Sequence, residues 1–249
     1  MNRGICPCCG YPTLVERAAC DICMLCNWED LPFGDSFDRF EDVDPNGNSG
    51  LAESRRNFNK YYIMYSEKRI INRQTPKEIE AKKALISAYH ECEKCKTDII
   101  NYKALWRKAK VCEHHLRSAQ GCDPIGVYFF VANTFQELSK SDEYILLEDN
   151  PRHHISVMEY YRSRRESPMD DQHVNLLLQL GSYSKKKYNV QEINTLIQVS
   201  EKLLHTHTED ERDDRKVREF VDDLKDLCQI ALSTGQFVIA VGTESNIIR

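Results

Sequence analysis

The sequence has no long apolar run. The longest, Val127 to Ala132, is six residues, far short of the roughly 20 that cross a bilayer, so no membrane span is expected. It has no excess of positive charge either: 34 Lys and Arg face 39 Asp and Glu, a formal net charge of -5. Domains that bind nucleic acid are usually basic, so general DNA or RNA binding is disfavoured. The opening Met1-Asn2-Arg3-Gly4-Ile5 carries no apolar core of a secretory leader. The expected location is therefore the cytoplasm, where thiols stay reduced and disulfides are rare. His-Glu-x-x-His, a phosphate-binding glycine loop and Gly-x-Ser-x-Gly are all missing. No catalytic or organic-cofactor-binding residue is assigned, and the reading inclines away from an enzyme. Apolar residues at 41% and charged residues at 29% leave an ordinary globular chain, long enough at 249 residues for one large domain or two moderate ones.

What the chain does have is cysteine, and in one place. Six of its eleven cysteines lie between Cys6 and Cys26. Cys6-x-x-Cys9 and Cys23-x-x-Cys26 are separated by thirteen residues, the ligand arrangement of a four-thiolate, ribbon-type zinc site. Each such turn must fold back to aim two sulfurs at one ion, and the residue after the second Cys favours a left-handed backbone. Gly10 and Asn27 stand at those places, and both tolerate that conformation. Pro7 presets one φ in the first turn. The metal ligands are accordingly assigned as Cys6, Cys9, Cys23 and Cys26, with zinc in a structural role, because four thiolates leave no open position. Cys20-x-x-Cys23 is a competing register, disfavoured because Asn27 marks the Cys23–Cys26 turn. Cys8 is expected to point outward as an unreactive spare thiol.

The stretch Cys6-Pro7-Cys8-Cys9-Gly10-Tyr11, followed by Ile22-Cys23 to Cys26 and Trp28-Glu29-Asp30, resembles the small bacterial cysteine-rich CPCC proteins. Leu51-Ala52-Glu53-Ser54-Arg55-Arg56-Asn57-Phe58 is similar to that family's closing helix. The resemblance covers about residues 5 to 62, with Cys20 and the Phe33 to Asn46 loop as local departures. It implies a metal-binding fold and little about activity.

The remainder reads as helical. Residues 11 to 22 are expected to form a short hairpin between the cysteine turns, with Trp28 packed on them. Leu51, Phe58, Tyr62 and Tyr65 share one helix face. A boundary is placed within Ser66 to Gln74, dividing the chain into a zinc-ribbon-like module, 1–66, and a helical domain, 67–249. Thr75-Pro76-Lys77-Glu78 is a strong helix start. From it Ala81, Leu85, Ala88, Cys92, Cys95, Ile99, Tyr102, Trp106 and Ala109 alternate at fours and threes, the seam of one long helix with a bend, ended by Gly121 and Pro124. Cys92 and Cys95 lie on that seam and are read as core rather than as a second metal site with His90, Cys112, His114, His115 and Cys122.

Further helices are expected from Asp123-Pro124, Asn150-Pro151, Ser167-Pro168, Asn189-x-x-Glu192 and Thr208-x-x-Glu211. A short strand is expected at Phe237 to Val241, paired with Tyr144 to Leu147. The expected class is mainly α: the ribbon-like module followed by an all-α helical bundle with at most a small β-ribbon. His153-His154 and His205-x-His207 fall near helix ends and are read as surface or capping groups, since no thiolate or carboxylate stands at ligand spacing. Lys185 to Lys187, and Arg162, Arg164 and Arg165, are read as solvated faces.

These features point to a zinc-binding protein that acts through protein contacts, in one specific version a toxin-neutralising (immunity) protein. Between Glu29 and Asp44 seven carboxylates face one Arg39, a stretch that could pair with a basic effector. The alternatives are a nucleic-acid-associated regulator using ribbon knuckles, for which only Arg3, Arg17 and Arg39 lie nearby, and a thiol or metal sensor using Cys8 and Cys20.

Overall fold

The computed structural model describes residues 3–32, 46, 50–140, 144–149, 151–156, 171–208 and 212–245. The chain forms two compact units, Met1–Asp123 and Pro124–Arg249.

The first unit opens with two very short strands, β1 (Asp21–Ile22) and β2 (Glu29–Asp30), paired antiparallel. Among the described residues four helices follow: α1 (Leu51–Tyr61), α2 (Lys68–Ile71), α3 (Pro76–Lys94) and α4 (Ile99–Ala119). The start of α3 is the expected one, with Pro76 in the first turn and the Thr75 side chain accepting a hydrogen bond from the Glu78 N–H. The single long helix is instead a hairpin. The chain turns between Cys95, which caps α3, and Asp98, whose side chain accepts from the Asn101 N–H to start α4. The heptad-like seam does not register this break, because two arms of a hairpin bury facing stripes with the same spacing as one helix. Only at the turn does the seam fail: Ile99 is 72% exposed.

One apolar core joins the cysteine turns to this hairpin. Cys6, Cys8, Cys23, Cys26 and Trp28 pack with Phe58 of α1, Leu85, Ala88, Tyr89 and Cys92 of α3, and Trp106 and Leu116 of α4. The boundary read between 66 and 74 therefore falls inside the first unit. Lys82 shows why that segment is no linker. Its side chain is fully buried, and its Nζ donates to the Tyr62 carbonyl (3.1 Å) and Gln74 Oε1 (2.8 Å) and pairs with Glu78 at 2.9 Å. Lys82→Met would take the buried donor from the partly buried Tyr62 carbonyl and Gln74 Oε1, and a loss of about 2 kcal/mol is expected in equilibrium denaturation.

Cys92 is core, as its seam position requires, and burial pushes its thiol up to about 11. Cys95 at the turn is half-buried. Cys92→Ala is expected to cost about 1 kcal/mol and Cys95→Ala less, with metal content unchanged in both; a lower metal stoichiometry in either would overturn the core assignment.

The second unit is not all-α. A four-stranded antiparallel sheet, in the order β4-β3-β6-β5, is built from β3 (Gly126–Ala132), β4 (Ile145–Glu148), β5 (Lys185–Tyr188) and β6 (Phe237–Gly242). The helix expected after Pro124 is β3, a run of aromatic and β-branched residues that fits a strand buried on both faces. The strand expected near the C-terminus is present as β6. Its neighbours are β3 and β5, while β4 pairs with β3. Lys185 to Lys187 occupy the edge strand β5, where lysines discourage further strand pairing. Gly242 permits a close approach, since a Cβ there would lie 2.1 Å from the Ser182 carbonyl oxygen.

The described residues of the unit also include a 3-10 helix, Phe135–Lys140, helical residues 151–156 (α5), α6 (Asp171–Leu178), α7 (Val190–Thr206) and α8 (Arg212–Thr234). The capping box at Asn189 and Glu192 is formed. The starts expected at Ser167-Pro168 and at Thr208-x-x-Glu211 involve positions outside the described residues, as do Arg162, Arg164 and Arg165. Val127, Phe129, Val238 and Ala240 face a core with Leu196, Leu203, Val217, Leu224 and Cys228 of α7 and α8. Phe130, Ile239 and Val241 face a smaller cluster with Leu138 on the other side.

Candidate metal centre

The two cysteine turns have the same backbone plan. In the first, the Cys6 carbonyl accepts from the Gly10 N–H (2.9 Å) and the Cys6 N–H donates to the Tyr11 carbonyl (2.9 Å). In the second, the Cys23 carbonyl accepts from the Asn27 N–H (2.8 Å) and the Cys23 N–H donates to the Trp28 carbonyl (2.8 Å). Gly10 (φ 81°) and Asn27 (φ 66°) are left-handed, as the turn chemistry requires. The expected hairpin over 11–22 is distributed differently. A Gly4–Leu14 bridge frames the first turn, and β1 with β2 frames the second. Asp30 is buried and accepts from the Ala18 N–H (2.6 Å) and Arg17 Nε (2.8 Å), which holds the intervening loop. Asn46 exchanges two hydrogen bonds with the backbone of Glu29 and pins the end of the acidic loop to β2. The rest of that loop, 33–45, lies outside the described residues.

This scaffold brings Cys6, Cys9, Cys23 and Cys26 together, with all four sulfurs within 4.8 Å of one another. Cys6–Cys26 and Cys9–Cys23 are each 3.6 Å apart, with no disulfide. Four sulfurs about 2.3 Å from one ion would be separated by about 3.8 Å, so the donor set fits a tetrahedral metal with little adjustment. Cys6, Cys23 and Cys26 are buried and Cys9 is partly exposed. Hydrogen bonding to Cys23 raises the Cys9 thiol, and burial raises that of Cys26. Burial also opposes ionisation at Cys23, but hydrogen bonds from Cys26, Cys6, Cys9 and Thr13 outweigh it and lower that thiol. Thr13 Oγ1 lies 3.0 Å from Cys23 Sγ. Thr13 is a neighbour of the site that the cysteine spacing does not announce.

Cys20 is exposed and outside the cluster, so the competing register does not form. Cys8 does not point outward: it is 5% exposed and joins the core with Trp28 and Phe58. Among the described residues, neither Cys92 and Cys95 nor His90, Cys112, His114, His115 and Cys122 form a metal-ligand group. His90 instead meets the Tyr11 hydroxyl at 3.0 Å.

Two of the four helix-end histidines are more than surface or capping groups, although His207 does cap α7. His153 and His205 are exposed, as expected, but His207 is fully buried and His154 half-buried. Both meet a carboxylate, Asp214. No described helix is long and apolar enough to cross a membrane. No curated protein and no solved structure matches the chain. Residues 4–80, reaching past α1 and α2 into the first turn of α3, match the cysteine-rich CPCC family.

Proposed function

We propose that the chain is a cytoplasmic zinc protein in which Cys6, Cys9, Cys23 and Cys26 hold one structural ion, and that it works by binding another protein. The observation that carries this reading is the closed donor set: four convergent thiols, three of them buried. That is a site for holding a fold together, with no position left for substrate. Metal analysis of the purified chain should show zinc; Cys23→Ser should hold one equivalent less than the parent chain and Cys20→Ser as much as the parent. Full occupancy in Cys23→Ser would overturn the assignment.

The partner side of the proposal rests on charge. The acidic stretch is anchored at one end by buried Asp30 and at the other by buried Asn46, and it suits a basic protein such as a toxin to be neutralised. A chain with Asp35, Asp38, Glu41 and Asp42 changed to their amides should lose salt-sensitive binding to a basic partner while keeping its zinc. Unchanged binding would move recognition to another surface. Nucleic-acid binding ranks lower because Arg3 and Arg17 are already paired with Glu113 (2.6 Å) and Asp30 (2.8 Å), which reduces the positive charge available to phosphates.

A further inference from the structure

The second unit contains a separate group of ligand atoms. His154 Nε2 lies 2.7 Å from Asp214 Oδ1, and His207 Nδ1 lies 2.8 Å from the same oxygen. The three atoms lie within 4.8 Å of one another, and the two imidazole rings are 5.4 Å apart. His207 and Asp214 are buried, with side chains 0% and 4% exposed, while the His154 side chain is 20% exposed. We propose that His154, His207 and Asp214 form a second metal site, for a first-row divalent cation of the zinc type.

Two imidazoles and one carboxylate are a donor set that such ions take with a position left open. Neutral imidazoles and an ionised carboxylate give the site one negative charge, which favours a cation where burial would otherwise penalise it. The ligands come from three places in the fold: α5, the residue that caps α7, and the first turn of α8. The buried pair is fixed in advance. The His207 N–H donates to the Leu203 carbonyl (3.0 Å), and the His207 carbonyl accepts from Arg218 Nη1 (2.7 Å). Asp214 is carried on a 23-residue helix. Such support from rigid elements gives a site definite geometry.

Without metal, the same three atoms form hydrogen bonds from the two rings to one oxygen. Three ligands about 2.0–2.1 Å from a tetrahedral ion are about 3.3 Å apart, so a cation would enter by widening each of the two observed contacts by about half an ångström. Each ring would then carry its proton on the nitrogen turned away from the ion, Nδ1 of His154 and Nε2 of His207. The partly exposed His154 side would provide entry and the open coordination position.

The test is calorimetric titration of the full-length chain, its four-cysteine site already filled, with zinc at neutral pH. One further equivalent should bind. His154→Ala changes a partly exposed ligand and should weaken that equivalent at least tenfold, and Asp214→Asn, which keeps side-chain size, should do the same. His153→Ala should leave it unchanged. Circular dichroism would confirm that the variants are folded. No second equivalent, or one equally strong in folded His154→Ala, would reduce the cluster to a hydrogen-bonded trio.

Discussion

Chelating the ion proposed for the four-cysteine site is expected to dismantle the core of the first unit and to leave the second folded. The strands of residues 3–32 are two residues each, too short to hold that segment by their own ladder. Its buried side chains surround the four sulfurs and pack on α1, α3 and α4. In small zinc units the ion contributes about 10–16 kcal/mol of folding free energy. Loss of the ion would leave four thiols to distribute protons in a buried space where Cys9 and Cys26 resist ionisation and Cys23 does not. The damage should extend beyond the cysteine segment, because Tyr89, Cys92, Trp106 and Leu116 of α3 and α4 pack in the same core. Hydrogen exchange with and without chelator should show residues 3–32 losing protection fully, the facing sides of α3 and α4 losing part of theirs, and β3 and β6 unchanged. Lowering the pH should act in the same direction, since protons compete with metal for thiolates. Intact protection of 3–32 would mean that the metal is not the main support; simultaneous loss in β3 would mean that the units do not fold separately.

Arg3→Ala is expected to be among the most damaging single substitutions outside the metal ligands, at about 3 kcal/mol. Glu113 of α4 is 2% exposed and accepts from Arg3 Nη1 at 2.6 Å and from the Tyr89 hydroxyl at 2.5 Å. Tyr89 is held well above its usual pKa, first by burial and then by the Glu113 carboxylate, so it remains a donor. The Arg3 guanidinium also lies over the Trp106 ring, 5.4 Å from its centroid. Removing one partner of a buried ion pair typically costs 3–5 kcal/mol; Arg3 is 19% exposed and Glu113 keeps the Tyr89 hydrogen bond, which places this pair at the low end. Arg3→Lys should recover only part of this, because an ammonium stacks less well on the indole than a planar guanidinium. Urea denaturation should show lower midpoints in the order Arg3→Lys, then Arg3→Ala. Equal midpoints for Arg3→Ala and the parent chain would show that the pair contributes nothing net.

The features legible in the sequence were those encoded locally. Gly10 and Asn27 foretold two left-handed turns, and Thr75-Pro76 and Asn189-x-x-Glu192 foretold helix starts, because a few consecutive residues determine each. The burial of Cys8 is not legible locally because it depends on helices far along the chain. The α3–α4 turn was hidden because seam spacing is the same along one helix and across a hairpin. β3 reads as a helix in the sequence because a short apolar run has no period that separates the two. For β6 the element was legible and its partners were not, since strand order is a long-range property. His207 and Asp214 carry no recognisable motif; they meet only because α7 and α8 pack together and α5 brings His154 to them.

The most direct test of the central claim is zinc-edge X-ray absorption on the full-length chain carrying His154→Ala, so that the second cluster contributes nothing. Four sulfur neighbours at about 2.3 Å are expected, and Cys23→Ser in the same background should remove that signal. A first shell containing nitrogen or oxygen in place of sulfur, or an unaltered four-sulfur shell in Cys23→Ser, would contradict a zinc ion held by Cys6, Cys9, Cys23 and Cys26.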